Sequence, residues 1–178
     1  TPGYADFRGE GMSGLRVADA AIFVVSAPAG VEVGTREMWR LADRVGLPRM
    51  VFVSKMDRET ADFQRVMASL TEAFGRQCVP VQVPIGAEES FSGLVNLLDP
   101  KAEGPEELQG EIDSARERLT EAVAEIDDDL ATKYLEGEAL SQEELTAGLT
   151  EGITSGAIVP VLVGAPTANI GAEELLDA

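Results

Sequence analysis

The chain has 178 residues, 44% hydrophobic and 26% charged. That is one domain, or one domain with a small added unit, and too much apolar surface for wholesale disorder. Its 14 Lys and Arg face 32 Asp and Glu, for a net charge of -18, and such a surface repels phosphate backbones, so no DNA partner and no broad RNA groove are expected. The chain has no His, which removes imidazole bases, Ser-His and Cys-His nucleophile pairs and His-ligated metals. The single cysteine, Cys78, permits no internal disulfide and suits a reducing compartment. No run of about 18 apolar residues stands out as a membrane span, and Thr1-Pro2-Gly3 does not open a signal peptide. A cytoplasmic protein with no membrane partner is the expectation.

Three short apolar runs punctuate the chain: Ala20–Val25, Arg49–Val53 and Ile158–Val163. None alternates with polar residues, which predicts strands buried on both faces of a parallel sheet. Between the first two, Met38, Leu41, Ala42 and Val45 fall on one helical face, and Gly46-Leu47-Pro48 stops that helix. Phe63, Val66, Met67, Leu70 and Phe74 repeat the spacing and end at Gly75. Strand, helix, strand, helix predicts an α/β fold with helices on both faces of the sheet.

The middle differs. Val79–Ile85 alternates and carries Pro80 and Pro84, as an edge strand does, and Gly86–Ser90 turns it back onto Phe91–Leu97 in a hairpin. Ile112, Ala115, Leu119, Ala122, Val123 and Ile126 mark an amphipathic helix; a second helical stretch runs near Asp129–Leu135; a third starts at the capping box Ser141-Gln142-Glu143-Glu144. Lys101–Glu151 holds two thirds of the net charge in under a third of the length. That shift predicts an inserted acidic α+β subdomain at residues 80–155, with residues 1–79 and 156–178 forming the core.

The strongest chemical signal is Val51-Phe52-Val53-Ser54-Lys55-Met56-Asp57, a buried strand ending in polar residues, where open α/β sheets place ligands. Asp57 can accept from a ring N–H and an exocyclic amine, as guanine presents, and Lys55 can lay its methylene stem along a planar base. Alternatively, Asp57 caps the following helix. Thr1-Pro2-Gly3 by itself is a turn, and Val163-Gly164-Ala165-Pro166 by itself is a loop. Trp39, beside Arg36 and Arg40, is either a surface anchor or core-edge packing. Nothing beside Cys78 lowers its pKa, so it has no catalytic role.

Taken together and in order, these motifs resemble the GTPase domain of bacterial elongation factor G with its inserted subdomain. Met38-Trp39-Arg40, Val45–Arg49, Ser54–Arg58, Ile85–Glu89 and Leu175–Ala178 carry the likeness, and Thr1-Pro2-Gly3 resembles an Asp-Thr-Pro-Gly motif without its Asp. The resemblance implies a P-loop-GTPase-like sheet, GTP or GDP with Mg²⁺ as ligand, and hydrolysis coupled to a step of protein synthesis such as translocation. The implied partners are the ribosome and its stalk protein, met through the acidic subdomain, with the protein acting as a monomer. On that likeness Gly3 offers its N–H to the γ-phosphate, a switch helix runs from about Arg8 to Val17, Asp57 reads guanine, Lys55 covers the base, and Ala165 or Pro166 lines its pocket. Glu111, Glu117, Glu121 and Glu125 read either as a face for a basic partner or as solvated charges.

The sequence holds no Gly-Lys pair, so the family's phosphate-binding loop is not in it, and the implied metal site lies outside it. It therefore reads as a piece of a longer protein that by itself binds nucleotide weakly or not at all. Three positions depart from the family. Tyr4 stands where a His positions the attacking water, and a phenol is a poorer base than an imidazole. Ser54 stands where an Asn ties the base site together. Pro166, which has no N–H, stands where an Ala donates to guanine, unless a one-residue shift gives that role to Ala165. These departures resemble the divergent second type of elongation factor G. The likeness also admits a release or ribosome-protection factor, or a switch that binds GTP with little hydrolysis.

Overall fold

The computed structural model describes residues 7–178. Gly3 and Tyr4 lie outside the described residues. In chain order the elements are α1 (Arg8–Val17), β1 (Ala21–Ser26), α2 (Val33–Val45), β2 (Arg49–Ser54), α3 (Phe63–Phe74), β3 (Cys78–Pro80), β4 (Gln82–Ile85), β5 (Gly93–Asn96), α4 (Gln109–Ala124), α5 (Asp128–Leu135), α6 (Gln142–Ser155), β6 (Val159–Val163) and α7 (Ala172–Asp177). The fold is α/β. β1, β2, β6 and β3 form one parallel sheet in that order, and β4 and β5 a separate antiparallel pair. Among the described residues no helix is long and apolar enough to cross a membrane.

The uninterrupted Val-rich runs become β1, β2 and β6; residues of both parities in β2 and β6 find apolar partners, and those of β1 find them on one face. On one face Val25, Val51, Val53, Val161 and Val163 pack with Trp39 and Ala42 of α2 and Val66, Met67 and Leu70 of α3. On the other, Phe52, Val79 and Leu162 share a cluster with Ile112, Leu119 and Val123 of α4 and Leu149 of α6. The acidic segment therefore supplies the apolar cover of the second face. Its charges stay outside: Glu117, Glu121 and Glu125 are exposed, while half-buried Glu111 accepts from Gln64 Nε2 at 2.6 Å. The capping box forms as the sequence indicates, with Ser141 and Glu144 bonding reciprocally.

Two expectations need correction. β1 is not buried on both faces: Ile22 and Val24 are 53% and 64% exposed. Among the described residues β1 stands at an edge of the sheet, and α4 and α6 pack over β2, β6 and β3. Val79–Ile85 is not one strand. Cys78–Pro80 joins the parallel sheet at its other edge, where a proline's missing N–H is tolerated. The chain then pivots at Val81, whose N–H donates to Val161 O at 3.1 Å and whose carbonyl accepts from Leu97 N at 3.0 Å. From Gln82 the chain pairs with β5.

Trp39 is core, not a surface anchor. It is buried, lies 3.8 Å from Phe74 centroid to centroid in a parallel stack, and carries the Arg49 guanidinium 5.0 Å over its ring. Cys78 is buried, and desolvation pushes its thiol up to about 12, against the opposing pull of Arg118 and Arg49. It is inert in the folded chain.

Candidate functional site

β1, β2 and β6 end together: Ser26 pairs with Ser54, and Val53 with Val163. The loops after β2 and β6 consequently leave from one rim, at the carboxyl ends of the strands. The first carries Lys55 and Asp57, the second Ala165, Pro166 and Thr167. They are joined directly. Met56 N–H donates to Gly164 O at 3.3 Å, and Thr167 Oγ1 donates to Asp57 Oδ2 at 2.9 Å.

Close packing holds the second loop in place. Ala165 N–H donates to Ile170 O at 2.9 Å, and Ile170 N–H returns to Ala165 O at 3.3 Å. A Cβ on Gly164 would stand 2.6 Å from Ile170 O and 2.8 Å from the Phe52 ring. Gly171, at φ +83°, would bring one within 2.3 Å of Val163 O. Only glycine fits at these two positions. Between them Pro166–Ala168 makes a single 3-10 turn.

The first loop is strained where it begins. Lys55 has φ 63°, a left-handed conformation that costs a side-chain-bearing residue about 1–2 kcal/mol, and its side chain is exposed. Ser54 is buried and its hydroxyl reaches Val25 O at 3.4 Å, a long contact that ties β2 to β1. Asp57 is not a helix cap. α3 begins at Phe63, and its cap is Asp62, which accepts from Arg65 N at 3.0 Å. Asp57 instead turns toward the β6 loop. Its Oδ1 is buried without a hydrogen-bond partner among the described residues, and such an acceptor costs about 1–3 kcal/mol or more. A ligand N–H would relieve that cost.

The structure thus brings together Ser54, Lys55, Asp57, Ala165 and Pro166. Neither candidate donor in the β6 loop offers a free backbone N–H: that of Ala165 is engaged by Ile170, and Pro166 has none. Among the described residues, no cluster of three or more His, Cys, Asp or Glu gathers to hold a metal.

Three further side chains build the site without local sequence signal. Arg65 donates one guanidinium nitrogen to Ala27 O, Pro28 O and Thr60 O at 3.3, 2.9 and 2.7 Å, tying the loops after β1 and β2 together. Glu88 accepts from Thr60 N at 2.6 Å, and its own N–H donates to Met56 O at 2.8 Å. Gln82, only 3% exposed, accepts from Val163 N at 3.0 Å.

A crystal structure of a protein from Thermus thermophilus superposes on this chain with a TM-score of 0.89 and 35% identity, over 99% of this chain and 28% of that one. The chain therefore spans under a third of that protein's length. Residues 1–178 match the family described as the elongation factor Tu GTP-binding domain. Because that match runs over the whole chain, the chain belongs to the elongation factor Tu GTP-binding domain family.

Proposed function

We propose that this chain is the base-recognising part of an elongation-factor-G-like translational GTPase, which binds GTP or GDP and couples hydrolysis to a step of protein synthesis such as translocation. The observation that carries the reading is Asp57: one carboxylate oxygen fixed by Thr167, the other buried and unmet at the carboxyl rim of the sheet. A guanine base offers a ring N–H and an exocyclic amine to such a group, and a site built to hydrogen-bond both rejects a base lacking them. The methylene stem of Lys55 packs over the base. Ser54 braces the strand end from which both residues leave, and Ala165 and Pro166 wall the pocket. The nucleotide, when bound with Mg²⁺, supplies the phosphoryl group that water attacks; these residues bind and orient its base.

In the same reading Gly3 donates its N–H to the γ-phosphate and Tyr4 stands beside the attacking water. The intact protein works as a cytoplasmic monomer on the ribosome, with residues 80–155 as the inserted subdomain that meets the stalk protein. Tyr4, at a position where the family has His, favours a second reading: a GTP-dependent ribosome-binding switch with little turnover. Single-turnover hydrolysis by the intact gene product, with and without ribosomes, separates the two, and Tyr4→His accelerates hydrolysis only if the phenol is what slows it.

Asp57→Ala removes two charge-assisted hydrogen bonds and is expected to weaken GDP binding by the intact gene product at least tenfold, as read by titration calorimetry. Equal binding of GDP and ADP by the unsubstituted protein would overturn the assignment. The 178-residue chain alone, with no Gly-Lys pair for the phosphates, is expected to hold GDP weakly, and tight binding would show that its base contacts suffice.

A further inference from the structure

The two oxygens of Asp57 are unequal. Oδ2 accepts from Thr167 Oγ1 at 2.9 Å, while Oδ1 is buried and unmet. Rotation about the last bond of an aspartate is soft, so a carboxylate left to itself turns freely. One fixed donor on one oxygen sets that angle and with it the direction of the other oxygen.

Thr167 is well placed to be that donor. Its backbone sits in the 3-10 turn gripped by the reciprocal Ala165–Ile170 bonds and the tight Gly164 and Gly171 approaches. Its β-branched side chain has few rotamers. It is exposed, where a hydroxyl can bond water equally well and a hydrogen bond adds little to folding. The contact therefore matters at the site more than in the core. Among the described residues, the Thr167 hydroxyl is the group of that loop that bonds the Asp57 side chain.

We infer that Thr167 is a positioning residue for base specificity: its hydroxyl holds Oδ2 of Asp57 and so sets the angle at which the carboxylate meets the ring N–H and exocyclic amine of a guanine nucleotide. This rests on the proposed role of Asp57. The geometry also sets the direction of the effect. A base without the exocyclic amine makes fewer bonds to the carboxylate and gains less from its being held, so loss of the hydroxyl harms guanine binding most.

The test uses the intact gene product with GDP, IDP (no exocyclic amine) and XDP (a carbonyl in its place), measured by calorimetry, with urea midpoints recorded alongside. Thr167→Val is expected to weaken GDP about tenfold and IDP less, shrinking the GDP preference. Thr167→Ala must do the same, and Thr167→Ser must restore most of it. An unchanged preference, or an equal loss for all three nucleotides, overturns the role of Thr167. Asp57→Asn distinguishes the underlying reading: it should turn the preference from GDP toward XDP, and a GDP preference that survives it refutes Asp57 as the base reader whatever Thr167 does.

Discussion

Gln82 tests whether a buried side chain stands in for a missing strand. β3 pairs with β6 from Cys78–Val159 as far as Pro80–Val161, after which the chain pivots away. Val163 N–H, two residues further along β6, would face an empty edge. The Gln82 carbonyl fills it at 3.0 Å, at a residue only 3% exposed. Gln82→Leu keeps the volume and removes the acceptor, leaving a buried backbone donor unmet at a cost of about 1–3 kcal/mol. For a chain of this length that lowers Tm by roughly 2–12 °C. Urea unfolding should show a lower midpoint with an unchanged slope, and hydrogen exchange at Val163 should accelerate more than at Val161. Gln64→Leu is the control. Its bond to Glu111, at 2.6 Å, is exposed, and its loss should cost under about 0.5 kcal/mol. Equal effects of the two substitutions, or unchanged protection at Val163, would refute the argument that burial sets the value of this bond.

Two titrations test the electrostatics. The hydrogen bond from Lys133, followed by those from the Ser141 backbone and hydroxyl, lowers Glu144 from 4.5 to about 2. A depressed carboxylate stabilises the fold above its unfolded value and ceases to as pH falls. The α5–α6 contact should therefore weaken between about pH 4.5 and 2, followed by the Glu144 carboxyl shift in NMR, and Glu144→Gln should flatten that part of the acid-unfolding curve; a Glu144 titration centred near 4.5 refutes it. Burial pushes Cys78 from 9.0 up to about 12, so the folded state holds its proton longer than the unfolded state and stability falls as pH rises through that window. At pH 8 a small thiol reagent should label Cys78 only as fast as the chain opens, accelerating steeply in urea. Complete labelling within minutes in native buffer would contradict the burial.

The legible parts of the sequence were those whose cause is local. Val-rich runs without alternation become β2 and β6 because residues of both parities meet apolar partners across the sheet. The helix from Phe63 to Phe74 ends at Gly75 as its spacing indicates, and Ser141 and Glu144 cap α6 because both partners lie within one turn. Asp57 was legible as an acceptor at a strand end, but its partner was not: Thr167 lies 110 residues away, and a hydroxyl reaching across space leaves no periodicity. Arg65 and Gln82 escaped for the same reason. Among the described residues Ile22 and Val24 are exposed because β1 ends the strand order.

The same distinction explains what holds the site in its shape. Lys55 is strained and Asp57 Oδ1 is unmet, two costs that would relax if the loop could move. It is held on several sides by bonds from distant segments: Met56 by Gly164 and Glu88, Thr60 by Glu88 and Arg65, and Asp57 by Thr167. Glu88 belongs to the turn between β4 and β5, and Gln82 of β4 fixes the end of β6. The hairpin thus grips both loops that meet at Asp57, so a force applied to it reaches Asp57 through two short paths, one ending at Met56 and Thr60 and the other at Val163. Cutting either path should change how firmly Asp57 is held without altering Asp57 or Thr167 themselves.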